Sequence, residues 1–405
     1  MSTINQRSTT EPGNPGGATP AVRKPDLRRA FGLREMGVYY ALVLLIFVLT
    51  VMTSYMGSSN YLSVMNMTNV IYQASLISIM AVAMTVVLIS GNFDLSVASV
   101  AALSAAVLIG NADAMGFWPA ALVAILVAAA IGFLNGAIVQ FLGINAFIVT
   151  LGTMTAVRGL VLIYTDGRSL SVSDPSVLET MRAFEGGRHE VGWLIVVLGF
   201  VLLGLAAADI AKARKSGSGL TASAIGLVVG GLLLLGLAWA TGGTLVLRNP
   251  VIYMAIFTIG TWFVLTYTMV GRRLYAVGGN PEASRLSGIN VTRYKLMSFV
   301  LCSSAAGFAG ILFASRLRSI NPAALTGAEL TVIAAAILGG TSLFGGAGSV
   351  IKTLAGALLL YSLTNGFNIL NLGANYQGLI EGIVVVVAAA IYTVGGKGGK
   401  SKTSG

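Results

Sequence analysis

The sequence predicts an all-α, polytopic membrane protein of about twelve transmembrane helices: a ten-helix core, an inserted pair, and some broken helices. Three observations predict it. The first is composition. Of 405 residues 56% are hydrophobic and 10% charged, with a mean hydropathy of +0.85, whereas soluble domains carry about 25% charged residues. The second is a set of apolar stretches at 37–56, 69–90, 96–112, 118–141, 146–164, 191–209, 220–241, 250–270, 294–315, 328–343, 349–370 and 377–394. Several fall short of the ~20 residues of a straight crossing, which predicts tilt or interruption. The third is where the charge lies. With the N-terminus inside, 18 of the 25 Lys and Arg fall on the cytoplasmic side and six outside, Arg158 lying within a span. That asymmetry is what the positive-inside rule requires. The net charge of +11 is therefore topology and not a nucleic-acid surface.

Residues 1–36 are polar and rich in Pro, Gly, Ser and Thr, and read as a disordered cytoplasmic tail before a signal-anchor helix. The transmembrane domain covers 37–394, and 395–405 form a second cytoplasmic tail. Within the domain, Ser90-Gly91-Asn92-Phe93-Asp94 interrupts the helix pattern. Asp94 is one of three carboxylates near the spans, with Glu329 and Glu381. A charge beside hydrocarbon is costly, which makes Asp94 a functional candidate together with Asn92 and Ser96. The local reading is a helix cap, bonding N–H groups near Ser96 and Val97. The two readings are compatible.

Thr150 and Thr153 are spaced along the span at 146–164, where hydroxyls either line a hydrated path or bond back to their own helix. Residues 165–190 form the largest outer loop, a docking surface for a soluble partner or simply a loop. The spans 191–209 and 220–241 are almost uniformly Leu, Val, Gly and Ala, joined by a basic hairpin. They read as a lipid-facing pair inserted at 191–241, which leaves and returns to the same side.

An island at 271–295, rich in arginine, separates two long spans. In its middle Asn280 is placed to cap a short helix, Pro281 fits its first position, and Glu282 faces the positive end of the helix dipole. Ala283, Ser284 and Arg285 continue it, and Gly288 is placed to take the left-handed conformation that ends it. A second interruption follows at Gly339-Gly340-Thr341-Ser342 and Gly345-Gly346. Paired broken segments in two halves point to a transporter, which makes Thr341 and Ser342 path candidates. Asn365 and Asn368 are uncharged amides near a membrane exit. They suit hydrogen bonds to a hydroxylated solute, or equally bonds between helices.

Other chemistry is missing. The one histidine, His189, lies in a loop, and the one cysteine, Cys302, lies in a span, so no metal site or disulfide is expected. Gly399-Lys400-Ser401 resembles the end of a phosphate loop, but its first glycine position is Val394. An ion-driven carrier would keep several charged groups in its helices, and this chain has few. Energy from a separate subunit at the cytoplasmic face gives the helix at 281–288 a reason to meet a partner.

Four segments together resemble the permease subunits of bacterial ABC importers for monosaccharides, the ribose, arabinose, galactose and xylose systems. They are Ile89 to Val97 (ISGNFDLSV), Asn145 to Arg158 (NAFIVTLGTMTAVR), Ala276 to Gly288 (AVGGNPEASRLSG) and Ile337 to Gly348 (ILGGTSLFGGAG). Asn92, Ala98 and Ala146 depart from the family pattern. The inserted pair and the length resemble the D-xylose branch most. The resemblance implies a homodimer, ATP held by a separate cytoplasmic subunit, and a periplasmic sugar-binding protein. It also implies an inner-membrane location, no cofactor or enzymatic activity of the chain's own, and a coupling helix from Asn280 to Gly288.

Overall fold

The computed structural model describes residues 32–57, 60–215 and 221–371, with isolated positions at 379, 382 and 383. Residues 1–31, the tail at 395–405 and, apart from those three positions, the expected span at 377–394 lie outside them; the first helix begins at Leu33, inside the stretch expected as a tail. Ten described helices are long and apolar enough to cross a membrane. They are α1 (Leu33–Tyr55, apolar from Met36), α2 (Val64–Ile89), α3 (Val97–Met115), α4 (Phe117–Phe141), α5 (Ala146–Tyr164), α7 (Gly192–Lys215), α8 (Ala222–Ala240), α9 (Asn249–Tyr267), α12 (Val291–Leu317) and α14 (Val350–Ile369). The chain is a multi-pass, all-α membrane protein.

Shorter elements fill the connections: α6 (Pro175–Gly186), α10 (Met269–Gly279), α11 (Pro281–Leu286) and α13 (Ala328–Leu338). Two small antiparallel ribbons pair β1 (Leu170–Ser171) with β4 (Ser319–Ile320), and β2 (Arg188–Glu190) with β3 (Val246–Arg248). The stretch expected as a span at 328–343 is therefore helical for only 11 residues, because Gly339 and Gly340 end it, Gly340 at φ +76°. The outer loop at 165–190 holds a helix because Asp174 accepts from Ser176 and Val177 N–H and Pro175 fills the first position. The Ser176 hydroxyl, donating to the same oxygen at 2.6 Å, and those two N–H groups hold the Asp174 carboxyl below its usual range.

Helix α2 is buried along most of its length and stands at the centre with α3 and α12. Their contacts rely on small residues, since helices in lipid gain little from apolarity alone and must approach closely. A side chain at Gly310 of α12 would collide with the Ala101 carbonyl of α3, and one at Gly307 would lie 2.6 Å from the Ala128 methyl of α4. The pair α7 and α8, expected as an insertion, is exposed over most of its surface and packs on itself. Gly199 and Gly231 make the close approach, each fitting beneath a leucine of the other helix. Its tie to the core is the β2–β3 ribbon.

The connections fall on two faces. Residues 89–96, 141–146, 268–290 and 339–349 share one, called here the basic face for Arg272, Arg273 and Arg285. The ribbons, α6 and the ends of α2 and α12 nearest Tyr72 and Arg316 share the other.

Candidate functional site

On the basic face α10, α11 and α12 each begin with a side-chain cap. Thr268 Oγ1 accepts from Gly271 N–H, Asn280 Oδ1 from Ala283 N–H at 3.0 Å, and Asn290 Oδ1 from Arg293 N–H at 2.9 Å. Helix α11 ends as expected. Gly288 sits at φ +78°, and Ile289 N–H donates to the Ser284 carbonyl at 3.0 Å. Ser284 faces inward, while Pro281, Glu282, Ala283, Arg285 and Leu286 are exposed, Leu286 at 84%. Helix α10 itself was not legible beforehand. Its exposed face carries Arg272 and Arg273, which read as loop, and its apolar residues cover less than three turns.

The inward end of α10 meets both helix interruptions. Gly346 N–H donates to the Ile89 carbonyl at 2.9 Å, joining the second break to the first. Gly278 lies over that bond: a side chain there would collide with the Ile89 oxygen and stand 2.8 Å from the Gly346 nitrogen. A side chain at Gly345 (φ +84°) would stand 2.5 Å from the Gly278 oxygen and 2.8 Å from the Gly91 Cα. Only hydrogen fits between these backbones. Nearby, Tyr275 donates its hydroxyl to the Gly348 carbonyl at 2.9 Å, and burial pushes that phenol's pKa up, so it stays a donor. Three segments far apart in sequence thus touch main chain to main chain, one of them leading directly into α11.

Beside this node, Asp94 is fully buried. Its Oδ1 accepts from Ser96 N–H at 2.9 Å and from the Ser96 hydroxyl at 2.6 Å. Asn135 on α4 donates to Ser96 Oγ at 3.0 Å, and Thr153 on α5 donates to Asn135 Oδ1 at 2.6 Å. Of the N–H groups expected to bond Asp94 only that of Ser96 does so, closing a turn ahead of α3, whose own first turn carries no side-chain cap. The link to Ser96 also extends into a chain of bonds across three helices. Asp94 Oδ2 and the Ser303 hydroxyl are buried without a hydrogen-bond partner. Truncating Asn135 to alanine removes the acceptor of the half-buried Thr153 hydroxyl and one donor to Ser96, which keeps its bond to Asp94. The expected result is a loss of about 1 kcal/mol, read as a lower melting temperature of the purified protein. An unchanged melting temperature would show the chain of bonds to be idle.

The remaining candidates separate. Asn92 donates to Ser90 Oγ at 3.0 Å and lines a cavity of about 500 Å³ with Gln140, Asn145 and Lys295. Thr150 bonds back to the Ala146 carbonyl at 2.8 Å. Thr341 is buried against Gly348 with its hydroxyl unpartnered, and Ser342 Oγ accepts from Phe344 N–H at 3.2 Å. Asn365 lies toward the opposite face, donating to Asn66 at 3.0 Å, and Asn368 is exposed near it. The structure therefore brings Asn92, Asp94, Ser96, Thr153, Thr341 and Ser342 to the basic side and leaves Asn365 and Asn368 apart. Asn135 and Gly278 were missed. A lone amide inside the apolar run GFLNGA was the available signal for the first. Nothing local marks Gly278, because its role depends on segments nearly 190 residues before it and nearly 70 after it.

Among the described residues no group of three or more His, Cys, Asp or Glu could hold a metal. The family described as branched-chain amino acid transport system / permease component matches residues 66–389. The chain belongs to this permease family. The matched range contains both breaks, the glycine node, the inserted pair and α11. The permease is 34% identical over 363 residues to the ribose import permease protein of Escherichia coli strain K12, covering 89% of this chain and 94% of that one. It is 32% identical over 366 residues to the xylose transport system permease protein of the same strain, covering 88% and 92%. A ribose import permease protein of Bacillus subtilis strain 168 matches at 30% over 361 residues, covering 89% and 92%. No solved structure matches. Like these relatives, the permease is a transport component and not an enzyme.

Proposed function

We propose that this permease is the membrane subunit of an ATP-driven importer that carries a monosaccharide across the inner membrane, both termini facing the cytoplasm. An ATP-binding subunit docks on the basic face at α11, and a sugar-binding protein delivers from the opposite face. Two copies of the permease enclose the path. The observation that carries this reading is the contact of Gly278 with Ile89 and Gly346. It gives a push on α11 a direct route to both helix breaks. Motion there would open or close the cavity beside Asn92, whose amides, Asn145 and Lys295 suit hydroxyl groups. The similarity to ribose and xylose permeases supports a sugar. It does not single out xylose, the branch expected from the sequence, because ribose permeases match as well.

The test is uptake into vesicles holding the permease, its ATP-binding subunit and its binding protein, with labelled ribose and xylose compared. Uptake that needs hydrolysable ATP is expected. Uptake driven by an ion gradient without ATP would overturn the reading in favour of a secondary carrier. In the same complex Glu282→Arg reverses an exposed charge on the docking helix. The expected result is about a tenfold fall in sugar-stimulated ATP hydrolysis, equal to about 1.4 kcal/mol of coupling. Unchanged stimulation with unchanged assembly would remove α11 from the docking site.

A further inference from the structure

A cavity of about 560 Å³ lies on the opposite face, between the foot of the inserted pair and the ends of α2 and α9. Arg188 and Arg248 line it, together with Thr68 and Asn69. These two arginines are directly paired across the β2–β3 ribbon. Like charges placed directly opposite destabilise a ribbon. Among the described residues neither arginine forms an ion pair. Arg248 stacks over the Tyr72 ring at 4.3 Å, and the nearby buried carboxylate, Glu185, is already taken by Arg316 and the Tyr72 hydroxyl. Glu190, the carboxylate on β2 itself, is exposed and bonds to neither. Much of the remaining lining is apolar, with Val64, Leu247 and Val251.

We infer that this cavity binds the phosphate headgroup of an anionic phospholipid, wedged between the inserted helix pair and the core. A phosphate bridging Arg188 and Arg248 relieves their opposition, since guanidinium groups match phosphate oxygens in pairs. The cavity stands level with the starts of α2 and α9 and the end of α8, where headgroups meet chains. A lining that combines two arginines with apolar side chains suits the two parts of a lipid. The inserted pair touches the core mainly through the ribbon, so a lipid here completes a boundary that protein alone leaves open.

The experiment uses the full-length permease, purified in neutral detergent and given phosphatidylglycerol, phosphatidylcholine or inorganic phosphate. Retained lipid is counted by native mass spectrometry, and thermal stability is followed in parallel. Phosphatidylglycerol is expected to be retained and to raise the melting temperature above phosphatidylcholine. Arg188→Gln and Arg248→Gln are each expected to weaken its retention about fivefold, while Arg182→Gln, on the same face outside the cavity, leaves it unchanged. Equal stabilisation by inorganic phosphate alone would make this a free-anion site and overturn the lipid assignment. So would arginine variants that keep the lipid but lose affinity for the binding protein. Neither readout requires transport, so failure here is separate from failure of the importer reading.

Discussion

Replacing Gly278 by valine is expected to abolish ATP-driven sugar uptake while the permease still reaches the membrane. The new side chain must occupy the space held by the Ile89 oxygen and the Gly346 nitrogen. These are backbone atoms of two different segments, so no rotamer change relieves the clash. The Ile89–Gly346 bond breaks or α10 lifts away, and either event disconnects α11 from the breaks. Overpacking of this kind costs about 1–3 kcal/mol, which many proteins survive as a fold. The expected signature is therefore basal ATP hydrolysis retained in the complex with stimulation by sugar lost. Gly279→Ala is the control. It is one residue along, exposed, and a side chain there meets only the Gly346 Cα at 3.9 Å. Equal loss in both variants would mean that the node has no special part.

Removing the Glu185 carboxylate is expected to have the largest effect on stability. Glu185 is buried and accepts from Arg316 Nε at 2.8 Å and from the Tyr72 hydroxyl. Arg316 also stacks on the Tyr72 ring at 4.0 Å and reaches the Gln73 side chain at 3.3 Å. Tyr72 thus lies between two guanidinium groups, held there by one acid. Glu185→Ala leaves the mostly buried Arg316 without its counter-charge, which costs about 3–5 kcal/mol. The melting temperature should fall by roughly 5 °C or more. Because the penalty is an unpaired charge, Glu185→Ala with Arg316→Met should be more stable than Glu185→Ala alone. A double variant no better than the single would refute that cause.

How legible these features were depends on how local their causes are. The helices of the core could be placed from runs of apolar residues, because lipid forces every backbone group to be satisfied within its own helix. The cap at Asn280, the first-turn Pro281 and the stop at Gly288 could be read because each acts within four residues. Both breaks were visible, the first as Ser90 to Asp94 interrupting an apolar run and the second as a glycine cluster. What could not be read was their meeting. Gly91, Gly278 and Gly346 are brought together by the packing of α2, α10 and the segment before α14, and no periodicity encodes that. The same holds for Asp94, where the bond to Ser96 is local but the continuation through Asn135 and Thr153 is tertiary. The ribbons and α6 were hidden because polar loop residues satisfy many local structures equally well. The xylose expectation rested on length and insertion, features of the scaffold, whereas a sugar is distinguished by the groups that contact it.

The central claim is that α11 and the second break move as one body. Spin labels at Leu286→Cys and Phe344→Cys test it most directly, since both positions are exposed and the native thiol, Cys302, is buried. Their separation is measured by pulsed electron resonance in the full complex, without nucleotide and with ATP bound, beside a reference pair at Leu286 and Thr180 on the opposite face. The account predicts that the Leu286–Phe344 distance stays constant while the Leu286–Thr180 distance changes. A Leu286–Phe344 distance that shifts with ATP would contradict it.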